Sequence, residues 1–289
     1  MPSLADHSSS SIVKLLLLGD AKSGKTTSLA SLALAGYKLR ILDLDNLLDP
    51  LATRIRAHNP EALHNVEYRS IRDAYKGTAA GTVIDGKPRA WISSLQMLNH
   101  WKYDDVDLGV PATWGPDCIL VIDSLSRWCD AAYDFHEVMI PKGKSGDADG
   151  RAIYGNAQDD VERQLANLTS PSFATNVIVI CHGNYITQPG GATKIFPQGV
   201  GQKLSPKIPQ YFPNYLRMTK LGEKRTLQLN SDALIDLAHN LPPGFVTKDL
   251  SPDTGLAEFF TAIRESAAKT VTKAPAAVTT LKTPNLKRV

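Results

Sequence analysis

The sequence has few cysteines and no long apolar run, and both features limit the classes of protein to which it can belong. Its three cysteines, Cys118, Cys129 and Cys181, show no paired or metal-ligand spacing, which favours a reducing compartment over a disulfide framework. No segment approaches the roughly 20 consecutive apolar residues of a membrane span. Residues 1–11 are polar and Ser-rich and lack the apolar region of a signal peptide. We therefore expect a cytoplasmic protein with no membrane partner.

An excess of charge of either sign is also absent, since the net charge is +3. Five basic residues and no acidic residue lie in residues 269–289, so the rest of the chain is slightly acidic. Any nucleic-acid contact must therefore come from local loops or from this tail, not from a globally basic body. The Ala-, Thr- and Pro-rich tail is also typical of a solvated, disordered terminus. We predict flexible ends at residues 1–11 and 269–289 around one domain at residues 12–268.

Short apolar runs alternate with helical patterns along that domain. The expected strands are residues 12–18, 39–43, 66–71, 118–122 and 177–181, and a late hairpin is expected around Gly222. The expected helices are residues 25–35, 47–57, 91–101, 154–168 and 256–266, and residues 76–87, 139–150 and 183–201 have the Gly-rich composition of loops. Uniformly apolar strands are typical of a sheet that is buried on both faces. The sequence therefore predicts an α/β fold with a mainly parallel, twisted sheet covered by helices on both faces.

One motif follows the first strand directly. Residues 19–26 read Gly-Asp-Ala-Lys-Ser-Gly-Lys-Thr, which matches the complete P-loop pattern G-x-x-x-x-G-K-[ST]. Glycines let successive backbone N–H groups face the phosphates, the lysine reaches the β- and γ-phosphates, and the hydroxyl binds magnesium. A chance match in a Gly-containing turn is the alternative, but the flanking strand and helix argue against it. The predicted ligands are ATP and Mg²⁺, held by Gly19, Asp20, Ala21, Lys22, Ser23, Gly24, Lys25, Thr26 and Thr27.

Three carboxylates follow apolar strands and are candidates for the rest of the site. Asp123 ends the strand that begins at Cys118, where it would hold the magnesium together with Thr26; alternatively it caps the next helix. Asp43 and Asp45 end another strand, and Asp45 is the first choice for a general base that polarises the attacking water. Either aspartate could instead serve only as a turn or cap residue.

Several of these stretches resemble RecA. The run from Arg40 through Asp43 and Asp45 to Pro50 resembles the RecA segment with the water-activating acid, where this chain has Asp in place of Glu. The run Val-Ile-Asp-Ser that ends at Ser124 resembles its second motif. The strand that precedes His182 resembles the one whose end carries a polar γ-phosphate sensor, which is Gln in RecA. The resemblance implies catalytic roles for Lys25, Asp45, Asp123 and His182.

More closely, the chain is similar to phage-encoded RecA-like ATPases of the single-strand-annealing recombinase type. The matching stretches are residues 36–49, 114–117 and 201–212, within a similarity that covers about residues 12–262. The resemblance implies an ATPase that DNA stimulates, in phage recombination or replication, located in the host cytoplasm. It also implies a homo-oligomer, either a ring or a filament.

The resemblance further implies that two loops bind single-stranded DNA. The first is residues 133–157, with Lys142, Lys144 and Arg151, and the second is residues 183–200, with Tyr185, Lys194 and Phe196. Basic side chains there could contact phosphates and aromatic rings could stack on bases, although both segments could equally be solvated loops. The family also uses a basic residue of a neighbouring subunit, for which the candidates are Lys220, Lys224 and Arg225; an exposed charged hairpin is the equal alternative.

Two other classes of P-loop protein stay open. The first is a monomeric small-molecule kinase or transferase, although no Arg-rich lid for a second phosphoryl substrate is evident in the sequence. The second is an assembly ATPase without DNA contact. ATPase measurements with and without single-stranded DNA, together with particle size from light scattering, would separate these classes.

Overall fold

The computed structural model describes residues 11–79, 81–141, 149–242, 244–245 and 249–272. The predicted N-terminal tail lies outside the described residues except for Ser11, and the predicted C-terminal tail lies outside them beyond Thr272. The last helix continues through Thr272 and so includes the first residues of that predicted tail.

The described residues form thirteen strands and eight helices. The strands are β1 (Lys14–Gly19), β2 (Lys38–Asp43), β3 (Val66–Ser70), β4 (Tyr75–Thr78), β5 (Gly81–Ile84), β6 (Trp101–Tyr103), β7 (Val106–Gly109), β8 (Cys118–Asp123), β9 (Asn176–Cys181), β10 (Gly183–Thr187), β11 (Thr193–Pro197), β12 (Asn214–Leu221) and β13 (Lys224–Gln228). The helices are α1 (Lys25–Ser28), α2 (Ala30–Leu34), α3 (Asp49–His58), α4 (Ala90–Asn99), α5 (Leu125–Met139), α6 (Gly150–Thr169), α7 (Gly201–Leu204) and α8 (Gly255–Thr272).

Seven of these strands form the central sheet, in the order β13-β12-β1-β9-β8-β2-β3. Every neighbouring pair is parallel except β12 and β13, which are antiparallel. The prediction of a mainly parallel sheet is therefore confirmed. β9 lies beside β8, as expected for two apolar runs that are almost wholly buried.

The helices cover the two faces of the sheet, and one apolar cluster is buried on each face. One cluster contains the β-strand residues Leu16, Ile122 and Val179 together with side chains of α4, α5 and α6. The other contains Leu17 and Ile180 together with side chains of α2, α3 and α8. Successive residues of a strand point to opposite faces, so the four consecutive leucines of β1 contribute to both clusters.

Parallel strands bring their carboxyl ends to one edge of the sheet. Along that edge, Leu18 in β1 lies opposite Cys181 in β9, and Asp123 in β8 lies opposite Asp43 in β2. The P-loop, the carboxylates and His182 therefore meet at this edge, because each directly follows or ends one of these strands.

Two segments that were expected to be loops form hairpins instead. Residues 76–87 contain most of the β4–β5 hairpin, and residues 183–201 contain β10 and β11. In the first hairpin, Tyr75 pairs with Ile84 at the open end and Thr78 pairs with Gly81 at the turn. In the second hairpin, Gly183 pairs with Pro197 at the open end and Thr187 pairs with Thr193 nearest the turn. The prediction of loops was wrong because it relied on glycine and proline, which lower strand propensity. These hairpins are held by cross-strand backbone hydrogen bonds, which do not require a buried apolar face.

In the expected DNA-binding loop at residues 133–157, most of the residues that the structure describes are helical. α5 continues to Met139 and α6 begins at Gly150. The two helices pack together, with the rings of Tyr133 and Tyr154 4.8 Å apart. Lys142 and Lys144 lie outside the described residues.

Within the described ranges, every helix is too short or too polar to traverse a bilayer.

Candidate active site

The loop between β1 and α1 closes tightly around two glycines. At Gly19, a Cβ atom would lie 2.6 Å from the carbonyl oxygen of Met218 and 2.7 Å from Ser23 Oγ. Gly24 has a φ angle of 101°, in the left-handed region that other residues rarely adopt. The buried hydroxyl of Ser23 has no hydrogen-bond partner among the described residues. This glycine-lined cradle with an unpaired hydroxyl fits the phosphates of a nucleotide.

Lys25 begins α1 and turns its side chain back under the loop. Its Nζ donates to the carbonyl oxygens of Gly19 at 2.7 Å and Asp20 at 2.8 Å. Burial lowers the pKa of Lys25, although nearby acidic groups, including Asp123 and Asp45, oppose that shift. A buried ammonium group that is held by two carbonyl oxygens and partly balanced by carboxylates can move to a phosphate oxygen with little loss of solvation.

Thr26 and Asp123 form the closest side-chain contact of the site. The Thr26 hydroxyl donates to Asp123 Oδ2 at 2.6 Å. Asp123 is only 3% exposed at the end of β8, and burial raises its pKa to about 6 although the Thr26 hydrogen bond opposes this. A hydroxyl and a carboxylate side by side are hard oxygen ligands that suit Mg²⁺.

The chain alone offers few ligands for a metal. The described residues contain no group of three His, Cys, Asp or Glu side chains that could hold a metal ion. Magnesium in nucleotide sites binds through one or two protein ligands plus the phosphates. Thr26 and Asp123 fit that mode of binding and would hold the ion together with a nucleotide.

Asp45 lies in a network of polar side chains beside the P-loop. Ser124, which follows Asp123 across a cis peptide bond, donates from Oγ to Asp45 Oδ1 at 3.2 Å. His182 Nε2 lies 3.6 Å from Asp45 Oδ2, and Arg127 Nε lies 3.7 Å from Oδ1. Burial raises the pKa of Asp45, but the His182 and Ser124 hydrogen bonds outweigh it and hold that pKa below its usual range. Asp45 is therefore an ionised carboxylate, as a general base must be.

His182 connects Asp45 to Lys25. Its Nδ1 lies 3.5 Å from Lys25 Nζ, while its Nε2 faces Asp45. Its backbone N–H donates to Ser126 Oγ at 3.2 Å, and its carbonyl oxygen accepts from the Gln198 N–H at 2.9 Å. The side chain therefore faces the nucleotide site, while the backbone joins the base of the β10–β11 hairpin.

Asp43 has a different environment from Asp45. Its carboxylate accepts from the Asn46 backbone N–H at 2.7 Å and from Ser70 Oγ at 3.0 Å. Both of its oxygens are thus used to hold the turn after β2 and the neighbouring strand β3. The contacts favour the turn role for Asp43.

The side chains proposed for DNA contact are distributed over several surfaces. Tyr185 donates to Asp20 of the P-loop, and Lys194 Nζ is 3.1 Å from both carboxylate oxygens of Asp236. Phe196 is half-buried in β11, whereas Arg151 is exposed at the start of α6. Of these four, Arg151 is the charged side chain most accessible to a phosphate.

Sequence reasoning missed the contribution of the first turn of α5. Ser124, Ser126 and Arg127 contact Asp45 or His182, which are more than 50 residues away along the chain. Their proximity to Asp123 in the sequence was the available signal, because residues just after a metal-ligating strand must lie at the same sheet edge.

The comparisons with known proteins concern the same region of the chain. The AAA_24 family, described as an AAA domain, matches residues 11–236. No curated protein matches this sequence. A RadB recombinase structure is 17% identical, with a TM-score of 0.40, over 86% of this chain and 90% of that one. An ATPase from the type III secretion system of pathogenic bacteria is 12% identical, with a TM-score of 0.40, over 72% of this chain and 52% of that one. At these TM-scores neither similarity supports a functional inference.

Proposed function

Because this chain belongs to the AAA domain family AAA_24 and is thus an ATPase with a RecA-like P-loop fold, we propose that it couples ATP hydrolysis to binding of single-stranded DNA. The proposal joins two surfaces of the molecule. One is the nucleotide site at the carboxyl edge of the sheet, and the other is a groove between α6 and α7.

At the nucleotide site, each residue has a separate task. The P-loop backbone binds the phosphates, Lys25 supplies a positive charge to them, and Thr26 and Asp123 hold Mg²⁺. The bound magnesium neutralises charge on the phosphates. Asp45, ionised and fixed by Ser124, accepts a proton from the attacking water. His182 lies between this base and Lys25, where its ring can donate to the γ-phosphate.

The observation that carries the DNA proposal is the composition of the groove between α6 and α7. It has a volume of about 920 Å³ and is lined by Arg151, Tyr154 and Gln158 of α6 and by Gln202 and Lys203 of α7, together with Asp149 and three glycines. Tyr154 is 46% exposed. Two cations can contact backbone phosphates, and an accessible aromatic ring can stack on a base, which is the combination that single-stranded DNA requires.

A chain of contacts links this groove to the nucleotide site. Tyr154 packs on Tyr133 of α5. The first turn of α5 carries Ser124 at its start and Arg127, both of which contact Asp45. A strand bound in the groove could thereby shift α5 and change the position of the base.

The part of the proposal that concerns biological role rests on a resemblance to phage-encoded annealing recombinases. The stretches that carry this resemblance are residues 36–49, 114–117 and 201–212. The α6–α7 groove uses Gln202 and Lys203 from the last of these stretches. We include in the proposal a role in phage recombination or replication, in the host cytoplasm, and assembly into a homo-oligomer.

The test is the ATPase rate of the full chain with Mg²⁺, measured with single-stranded DNA, with duplex DNA and without DNA. We expect acceleration by single strands, with an affinity that falls steeply as salt rises, because phosphate contacts release counterions. Arg151→Ala and Lys203→Ala should reduce the acceleration and leave the DNA-independent rate unchanged.

Arg163→Ala is the matched control. It removes one charge from the same helix, at a side chain that is 72% exposed and paired with Asp160 outside the groove. Stimulation should be retained in this variant. If single strands neither bind at low salt nor alter the ATPase rate of the wild type, the DNA proposal fails, while the ATPase assignment stands.

A further inference from the structure

We propose that Arg225 binds a phosphate of the nucleotide held by the P-loop of its own chain. The inference rests on the proposed nucleotide site and adds a residue to it. It also differs from the expectation that Lys220, Lys224 or Arg225 would reach the nucleotide of a neighbouring subunit.

The sheet register places the β12–β13 hairpin beside the P-loop. Met218 of β12 pairs with Gly19, the last residue of β1. The hairpin then extends beyond this point, and Lys220 pairs with Arg225. Because β12 is a direct neighbour of β1, the residues after Met218 must run along the side of the phosphate-binding loop.

The alternation of side chains determines which face Arg225 occupies. Leu227, two residues further along β13, is fully buried in the cluster that contains side chains of α2 and α8. Residues two apart in a strand share a face, so Arg225 projects on the face that α2 covers, and the P-loop leads to α2 through α1. Lys224 projects on the opposite face.

The Arg225 side chain contacts the P-loop itself. A Cβ atom on Gly24 would lie 2.9 Å from Arg225 Cδ and 3.3 Å from Arg225 Nε. The stem of the arginine therefore lies across the glycine that immediately precedes Lys25. Gly24 is thus required both for its positive φ angle and to leave room for this side chain.

The charge of Arg225 is not used within the described part of the protein. The residue is exposed, and its guanidinium group makes no ion pair or hydrogen bond with a described residue. A guanidinium group offers five donors in a planar fork that matches phosphate oxygens. A free guanidinium group beside the phosphate-binding loop is therefore placed to bind an anion. The anion that this loop binds is the phosphate chain of the nucleotide.

Arg225 and Lys25 approach the loop from different sides. Lys25 lies buried below it, on the carbonyl oxygens of Gly19 and Asp20, whereas Arg225 lies on its exposed rim. The two cations can therefore act on the same phosphate chain without competing for the same space.

The first experiment measures ATP binding by the full-length Arg225→Gln variant, which keeps most of the side-chain stem. Loss of a charge-assisted hydrogen bond should weaken ATP binding roughly tenfold or more, with an unchanged melting temperature without nucleotide. Lys224→Gln is the matched comparison, because it removes a charge from the adjacent residue on the other face. It should weaken binding by a much smaller factor, and equal losses in the two variants would overturn the specific contact.

The second experiment distinguishes the chain that supplies the arginine. Arg225→Gln and Lys25→Ala chains are mixed and co-assembled, and the ATPase rate is compared with the sum of the separate rates. If Arg225 serves its own chain, every site in the mixture lacks one of the two cations and the rate does not rise. Recovery of activity would show that Arg225 serves a neighbour's site and would overturn the proposal. Neither measurement uses DNA, so failure of the DNA proposal leaves both readouts intact.

Discussion

The hydroxyl of Tyr185 donates hydrogen bonds to both carboxylate oxygens of Asp20, at 3.1 and 3.0 Å. This contact joins the β10–β11 hairpin to the second residue of the P-loop. At the base of the same hairpin, a Cβ atom on Gly183 would lie 3.4 Å from Asp20 Oδ1. The hairpin therefore lies directly against the phosphate-binding loop, and a movement of the hairpin will displace the loop.

Removal of this hydroxyl should loosen the hairpin without damaging the nucleotide site. We expect Tyr185→Phe to keep the DNA-independent ATPase rate within about fivefold, because an exposed hydrogen bond contributes only about 1 kcal/mol. We expect its stimulation by single-stranded DNA to fall several-fold. Tyr75→Phe is the control, since it removes the hydroxyl of another exposed tyrosine, on β4. Equal stimulation of the Tyr185→Phe variant and wild type would show that the contact carries no signal.

The Thr26–Asp123 contact gives a second prediction, on magnesium. Asp123→Asn keeps an oxygen that can accept from Thr26 but removes the negative charge that attracts the ion. We expect a much higher Mg²⁺ concentration for half-maximal ATPase rate and loss of the magnesium-dependent gain in ATP affinity. Asp117→Asn is the control, at an exposed aspartate just before the other end of β8. An Mg²⁺ dependence like that of wild type in Asp123→Asn would exclude Asp123 as a metal ligand.

The sequence predicted the elements whose burial is complete. β1, β8 and β9 are mainly apolar and almost completely buried, so their assignment as strands could be predicted. The P-loop and Asp123 could be placed because they follow or end those strands.

Other features depend on contacts between distant parts of the chain. The β10–β11 hairpin leaves most of its residues partly exposed, so it lacks the apolar periodicity that identifies a strand. Asp45 meets Ser124 and His182 across intervals of 79 and 137 residues. Such proximity follows from the strand order, which no local pattern in the sequence specifies.

Asp43 and Asp45 give a third prediction, because their environments differ. Asp45→Asn should spare ATP binding and slow hydrolysis by about 10²-fold or more, the usual effect of losing a general base. Asp43→Asn should instead lower the melting temperature, because it weakens the hydrogen bonds to Asn46 and Ser70 that hold the turn after β2. Single-turnover hydrolysis and thermal unfolding of both variants check this. Normal hydrolysis by Asp45→Asn would place the base elsewhere, with Asp43 the next residue to test.

Ser124→Ala tests the support of the base. The Ser124 hydroxyl is 3.2 Å from Asp45 Oδ1, and its loss should slow hydrolysis less than Asp45→Asn does. The effects of the two changes should not add in the double variant, because both act on one carboxylate. Additive losses would mean that Ser124 acts independently of Asp45.

The last prediction concerns how the nucleotide state reaches DNA through His182. Its ring lies between Lys25 and Asp45, while its carbonyl oxygen binds the Gln198 N–H at the end of the β10–β11 hairpin. A contact between this ring and the γ-phosphate would be lost on hydrolysis, and the base of the hairpin would then be free to move. We expect His182→Ala to retain ATP binding but to lose both DNA stimulation of hydrolysis and ATP enhancement of DNA affinity. Both effects must fall together, since coupling between two binding sites is reciprocal.

His182→Gln, which keeps a side-chain donor, should restore part of the coupling. The measurements are DNA affinity with and without a non-hydrolysable ATP analogue, and ATP affinity with and without DNA. If His182→Ala shows the same ATP-enhanced DNA affinity as the wild type, the signal does not pass through His182.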